Sequence, residues 1–104
     1  MYICRWHFEI PYGKQAEVAK LMQAWKQDAM ASSEFKRSKS QRLLSGHAGT
    51  SASHLVAEYE FESMADWEAS LTSMAAPVFQ RHSEALAPYI VAGSQHWEIL
   101  RVLG

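Results

Sequence analysis

Several things are scarce in this chain of 104 residues, and each scarcity closes off a class of protein. A single cysteine cannot form an internal disulfide, so the fold must be held by its core. Ten lysines and arginines stand against eleven aspartates and glutamates, a net charge of -1, so no overall field recruits DNA, RNA or an anionic membrane. No apolar run approaches the roughly 18 residues that span a bilayer. No charged segment leading into an apolar stretch opens the chain in the manner of a secretion signal. The expectation is a cytoplasmic protein that engages neither nucleic acid nor membrane. Asparagine is absent altogether.

What is abundant is apolar and aromatic. A hydrophobic share of 48%, with 12% aromatics, is too high for a disordered chain and ample for a packed core. Without a linker, an internal repeat or a low-complexity segment, residues 1–104 read as one domain.

The clearest local signal runs from His54 to Glu68. Leu55, Ala57, Tyr59 and Phe61 alternate along a strand, and Ser63-Met64-Ala65-Asp66 then reads as a capping box that starts a helix carrying Trp67, Leu71 and Met74. The same order opens the chain. Tyr2, Cys4, Trp6, Phe8 and Ile10 alternate with Ile3, Arg5, His7 and Glu9, and Pro11-Tyr12-Gly13-Lys14 turns into a helix with Val18, Leu21, Met22, Trp25 and Ala29 along one stripe. Cys4 falls on the buried side, where thiols are usually inert.

Between the two units, residues 32–42 are polar and basic, with Lys36, Arg37, Lys39 and Arg42. Lysines on an edge strand discourage edge-to-edge pairing, so this region is expected to lead into an edge strand over roughly 38–45. The stretch from Gly46 to Ser53 is a loop, without the ending of a phosphate-binding loop. Pro77 opens a third helix in which Phe79, His82 and Leu86 share a face, Pro88 ends or kinks it, and Gly93 leads into a last strand over 95–103. The whole is an α+β, ferredoxin-like β-α-β-β-α-β chain. It implies a four-stranded antiparallel sheet with helices on one face, the first and third strands being central.

Such a sheet has a second face. It collects Arg5, His7 and Glu9, then His54, Val56, Glu58 and Glu60, and from the last strand His96, Glu98, Leu100 and Val102. Three uses of it stand open. Cross-strand ion pairs such as Arg5 with Glu58 would make it a polar face covered by a second copy of the chain. The same groups would line a small-molecule cavity, with His7, His54 or His96 exchanging a proton near neutral pH. His7, His54 and His96 with Glu58 would suit zinc or iron, although no His-x-His or His-x-x-x-His spacing supports a metal, and none is assigned.

In its element order, in Pro11-Tyr12-Gly13-Lys14 and in the segment Glu58 to Glu68, the chain resembles the dimeric α+β barrel superfamily. That superfamily includes antibiotic-biosynthesis-type and haem-degrading monooxygenases and NIPSNAP-like proteins. The resemblance implies a homodimer with two sheets face to face, and in each subunit a pocket between sheet and helices. Haem-degrading members use an asparagine on the first strand, a tryptophan near the start of the second helix and a histidine on the next helical segment. Trp67 and His82 resemble the second and third, at a longer interval; for the first only His7 or Arg5 is available. The resemblance to cofactor-independent oxygenases implies an apolar pocket walled by Trp6, Tyr59, Trp67 and Trp97, with a base among His7, His54 and His96.

The expected function is binding, with oxidation or isomerisation as a further step, of a small hydrophobic or aromatic molecule without a cofactor. Ligand-binding candidates are Arg5, His7, His54, Glu58, Trp67, His82 and His96, with His7, His54 and His82 as candidate catalytic groups. A haem-binding or haem-degrading protein is one alternative, and a non-catalytic homodimeric structural or regulatory module is the other.

Overall fold

A computed structural model describes residues 1–104. The strands are β1 (Tyr2–Glu9), β2 (Ser40–Ser45), β3 (His54–Phe61) and β4 (His96–Arg101), and the helices are α1 (Gln15–Ser32), α2 (Met64–Ser73) and α3 (Pro77–Leu86). The sheet is antiparallel in the order β2-β3-β1-β4, with β1 and β3 central. This is the α+β arrangement that the β-α-β-β-α-β order implies. No helix is long and apolar enough to cross a membrane.

Register follows from the alternation. Cys4 lies opposite Tyr59 and Ile99, Phe8 opposite Leu55, and Leu43 opposite Ala57, so one face of the sheet is continuously apolar. Against it pack Val18, Met22 and Ala29 of α1 and Phe79 of α3, with Phe8, Phe61 and Phe79 almost completely enclosed. A one-residue slip in β1 would exchange this set for Arg5, His7 and Glu9. Ser63 caps α2 as its sequence predicts, its hydroxyl accepting from the Asp66 amide at 3.2 Å. Pro77 stands in the first turn of α3, where its missing N–H is no loss.

Two boundaries differ from the sequence reading. The basic stretch forms a short 3-10 turn (Glu34–Arg37) before β2, because Ser33 caps it through the Phe35 amide and Phe35 is drawn into the core at 3% exposure. The last strand ends at Arg101, whose guanidinium lies over the Tyr2 ring at 5.9 Å on the helix side of the sheet.

The basic residues are not a free cationic patch. Arg37 pairs with Glu34 and with Asp66 (2.9 Å), Lys39 with Glu62 (2.5 Å) and Arg42 with Glu58 (2.7 Å).

Candidate functional site

The fold separates the candidate residues into two places. His82 stands on the helix side of the sheet. Arg5, His7, His54, Glu58 and His96 stand on the other side, so they cannot form one site with His82.

On the helix side a cavity of about 170 Å3 opens between the sheet and α1, α2 and α3. Its walls include Trp6, Tyr59 and Trp97 from the sheet, Met22 and Trp25 from α1, Leu71 from α2, and Phe79 and Leu86 from α3. The aromatic wall is rigid: Trp25, Phe35 and Tyr59 pack edge to face with ring centroids 5.0–6.0 Å apart. An apolar cavity of roughly 150 Å3 is large enough to stay dry and admit benzene. The space therefore matches one aromatic ring.

Of its lining residues, His82 and Tyr59 each carry a polar atom without a protein hydrogen bond, as do Ser83 and the indoles of Trp6, Trp25 and Trp97. His82 is held through Nε2, which lies 2.6 Å from Asp28 Oδ2 of α1. If Nε2–H donates to the carboxylate, Nδ1 is left as an unprotonated acceptor. Nδ1 makes no hydrogen bond within the protein. Tyr59 is 5% exposed, and its hydroxyl likewise has no protein partner. Burial pushes the Tyr59 phenol far above its ordinary value, so the hydroxyl stays protonated and able to donate. Tyr59 also walls a second recess of about 180 Å3 between α1 and β2, beside Lys26 and Arg42.

Trp67 is not part of the cavity wall. It packs edge-on against Trp97, with centroids 5.6 Å apart, and reaches the cavity only through that ring. Cys4 is enclosed in the core on the helix side of the sheet, where burial pushes its thiol up to about 11.

The opposite face carries a continuous polar network. Glu58 is 4% exposed. It accepts from Arg5 Nε at 2.8 Å and from Arg42 Nε at 2.7 Å. Burial works against its ionisation, but the two guanidiniums outweigh that and hold its carboxyl below the usual range. His54 Nδ1 lies 2.6 Å from Glu9 Oε1, His54 Nε2 lies 2.8 Å from His7 Nδ1, and His7 Nε2 lies 3.1 Å from Glu98 Oε1. The bond to His7, with burial opposing it, holds the Glu98 carboxyl below its usual range. His96 stacks on His7 at 4.5 Å with the rings nearly parallel.

These contacts bear on the metal and haem alternatives. No three His, Cys, Asp or Glu side chains are arranged to hold a metal ion. The nitrogens of His7 and His54 face each other, and Glu58 is engaged by two arginines. Haem does not fit the helix side either, because the cavity is smaller than the roughly 300–1,000 Å3 of pockets for drug-sized ligands.

No protein-family model matches the chain, and no curated protein sequence does. Solved structures do. An uncharacterised NIPSNAP domain protein from Burkholderia xenovorans superposes with a TM-score of 0.78 at 17% identity, covering 99% of this chain and 95% of the other. A NIPSNAP family protein from Agrobacterium tumefaciens gives 0.73 at 18%, covering 96% and 90%. A protein from Nitrosomonas europaea, provisionally described as an antibiotic biosynthesis monooxygenase, gives 0.73 at 10%, covering 100% of both. The chain has their fold. These are the kinds of protein that the sequence resembles, and at this identity the likeness is one of architecture.

Missed in the sequence were Asp28, which orients His82 from 54 residues away, and Arg42, the second partner of Glu58. Neither pairing has a local spacing to betray it. For Arg42 the signal was present: in a strand from Ser40 to Ser45 it lies opposite Glu58.

Proposed function

We propose that this protein binds a small aromatic or otherwise hydrophobic molecule, about one ring in size, in the cavity between its sheet and its helices. We further propose that it oxidises or isomerises that molecule without a cofactor. The observation that carries the reading is the apolar cavity lined by Tyr59 and His82, whose hydroxyl and Nδ1 make no hydrogen bond within the protein. A hydroxyl on the ring would give its proton to Nδ1 while Asp28 fixes the imidazole and supports its charge. The resulting phenolate either bonds dioxygen at a ring carbon or takes the proton back at carbon, the second being an isomerisation. In the first case one oxygen stays as a quinone carbonyl, while the other leaves as water with the ring hydrogen and the Nδ1 proton.

The same reading includes a homodimer closed through the outer sheet face. Ile3, Leu44, Val56 and Leu100 interleave there with the charged groups, and Leu100 is 40% exposed in the single chain. A second copy laid on this face would cover them in a two-fold interface.

Mass spectrometry of small molecules carried by the purified native protein tests the binding reading. A co-purifying compound of about one ring is expected; the clean protein taking up no monocyclic aromatic in a subsequent titration would end it. Light scattering tests assembly, with twice the chain mass of 11.8 kDa expected.

A further inference from the structure

The outer-face network has a proton count that its geometry dictates. Glu9 and Glu98, as carboxylates, only accept hydrogen bonds. His54 Nδ1 must then donate to Glu9 and His7 Nε2 to Glu98, at 2.6 and 3.1 Å. A neutral imidazole carries one N–H. With both rings neutral, those two hydrogens are used, and His7 Nδ1 and His54 Nε2 oppose each other as lone pairs 2.8 Å apart. One more proton turns that opposition into an N–H···N bond. A second sets two N–H groups against each other and two positive charges side by side.

We infer that His7 and His54 share a single proton, and that this one charge is a condition for the outer face to close against a second copy of the chain. The inference rests on the assembly proposed above and adds its regulation: association is gated by pH from both sides.

Charge balance supports it. The groups facing the pair are Arg5 and Glu9 on β1, Glu58 on β3, His96 and Glu98 on β4, and Arg42 reaching across from β2. Three carboxylates are matched by two guanidiniums and the one shared imidazolium charge. Glu60 stands apart at the far end, bonded to Ser40. A network without net charge is the form that burial against another copy penalises least. In the free chain water can replace a broken central bond. In a closed interface it cannot, so the unmatched lone pairs or hydrogens carry their full desolvation penalty.

The test is sedimentation equilibrium of the wild-type chain from about pH 5 to about pH 9, a range that spans histidine titration. The dimer dissociation constant is expected to pass through a minimum near neutrality and to rise by about tenfold, 1.4 kcal/mol, toward each end. Isothermal dilution in buffers of different ionisation enthalpy should show about one proton per protomer taken up on association at high pH and released at low pH. His54→Gln offers an N–H to His7 Nδ1 without needing a proton, so its profile should lose the high-pH limb, while protonation of His7 keeps the low-pH one. A wild-type constant independent of pH, or a His54→Gln profile that keeps both limbs, overturns the gating. A chain that stays monomeric throughout overturns the assembly reading instead. Imidazole nitrogen NMR then decides the shared proton on its own: three N–H groups over the four ring nitrogens support it, and two neutral rings at about pH 7 overturn it.

Discussion

Asp28 Oδ2 and His82 Nε2 lie 2.6 Å apart, which ties α3 to α1 at the wall of the cavity and decides which imidazole nitrogen is left free. Asp28→Asn keeps the shape of the contact but not its charge. Its amide can act as donor, favouring the tautomer with hydrogen on Nδ1. Nitrogen NMR of His82 should show that exchange, and affinity for phenol should fall by about tenfold. An unchanged tautomer and affinity would remove Asp28 from the site.

Glu58 should be the most sensitive position on the outer face. Glu58→Gln leaves Arg5 and Arg42 without their carboxylate. The carboxylate is enclosed while Arg42 is largely exposed, so the loss should fall between exposed and buried pairs, at about 2 kcal/mol in urea denaturation. The folded state lowers the Glu58 pKa. Its stabilisation is therefore complete above the unfolded value of about 4.3 and disappears as pH falls through the lower folded value. The gap in melting temperature between wild type and Glu58→Gln should accordingly close on going from about pH 6 to about pH 3. A gap that persists in acid would mean that the residue acts by packing.

Much of this was legible in the sequence because the relevant period is short. The alternation in β1 and β3 assigned every residue from Tyr2 to Glu9 and from His54 to Phe61 to a face, so His7 and His54 could be placed on the same side before any distance was known. Ser63 marked the start of α2 for an equally local reason. The 3-10 turn at Glu34–Arg37 was not legible, because its one apolar residue, Phe35, sits in a polar stretch and is recruited by tertiary packing. The Asp28–His82 contact depends on how α1 crosses α3, and neither helix carries that information alone.

Trp67 Nε1 is a buried donor without an acceptor, a state that carries a penalty of roughly 1–3 kcal/mol. Trp67→Phe removes the donor and keeps an aromatic ring against Trp97. The relief should offset most of the lost area, leaving a net change within about 1 kcal/mol, whereas Trp67→Ala should cost about 3 kcal/mol or more. Equal losses for both variants would show that the indole nitrogen has a partner in solution.

Cys4 should behave as an inert core residue. With its thiol pushed up to about 11 and its side chain enclosed, it should not react with a disulfide reagent at about pH 8 until denaturant is added. Rapid modification of the native protein would show that the core opens around β1.

The central claim concerns the cavity, and a two-dimensional NMR titration with phenol tests it most directly. Saturable shifts are expected at the indole N–H groups of Trp6, Trp25 and Trp97 and at the His82 ring, and should be lost in Leu71→Trp, which fills the space. Shifts confined to the outer face around His7 and His54, or none at saturating phenol, would contradict it.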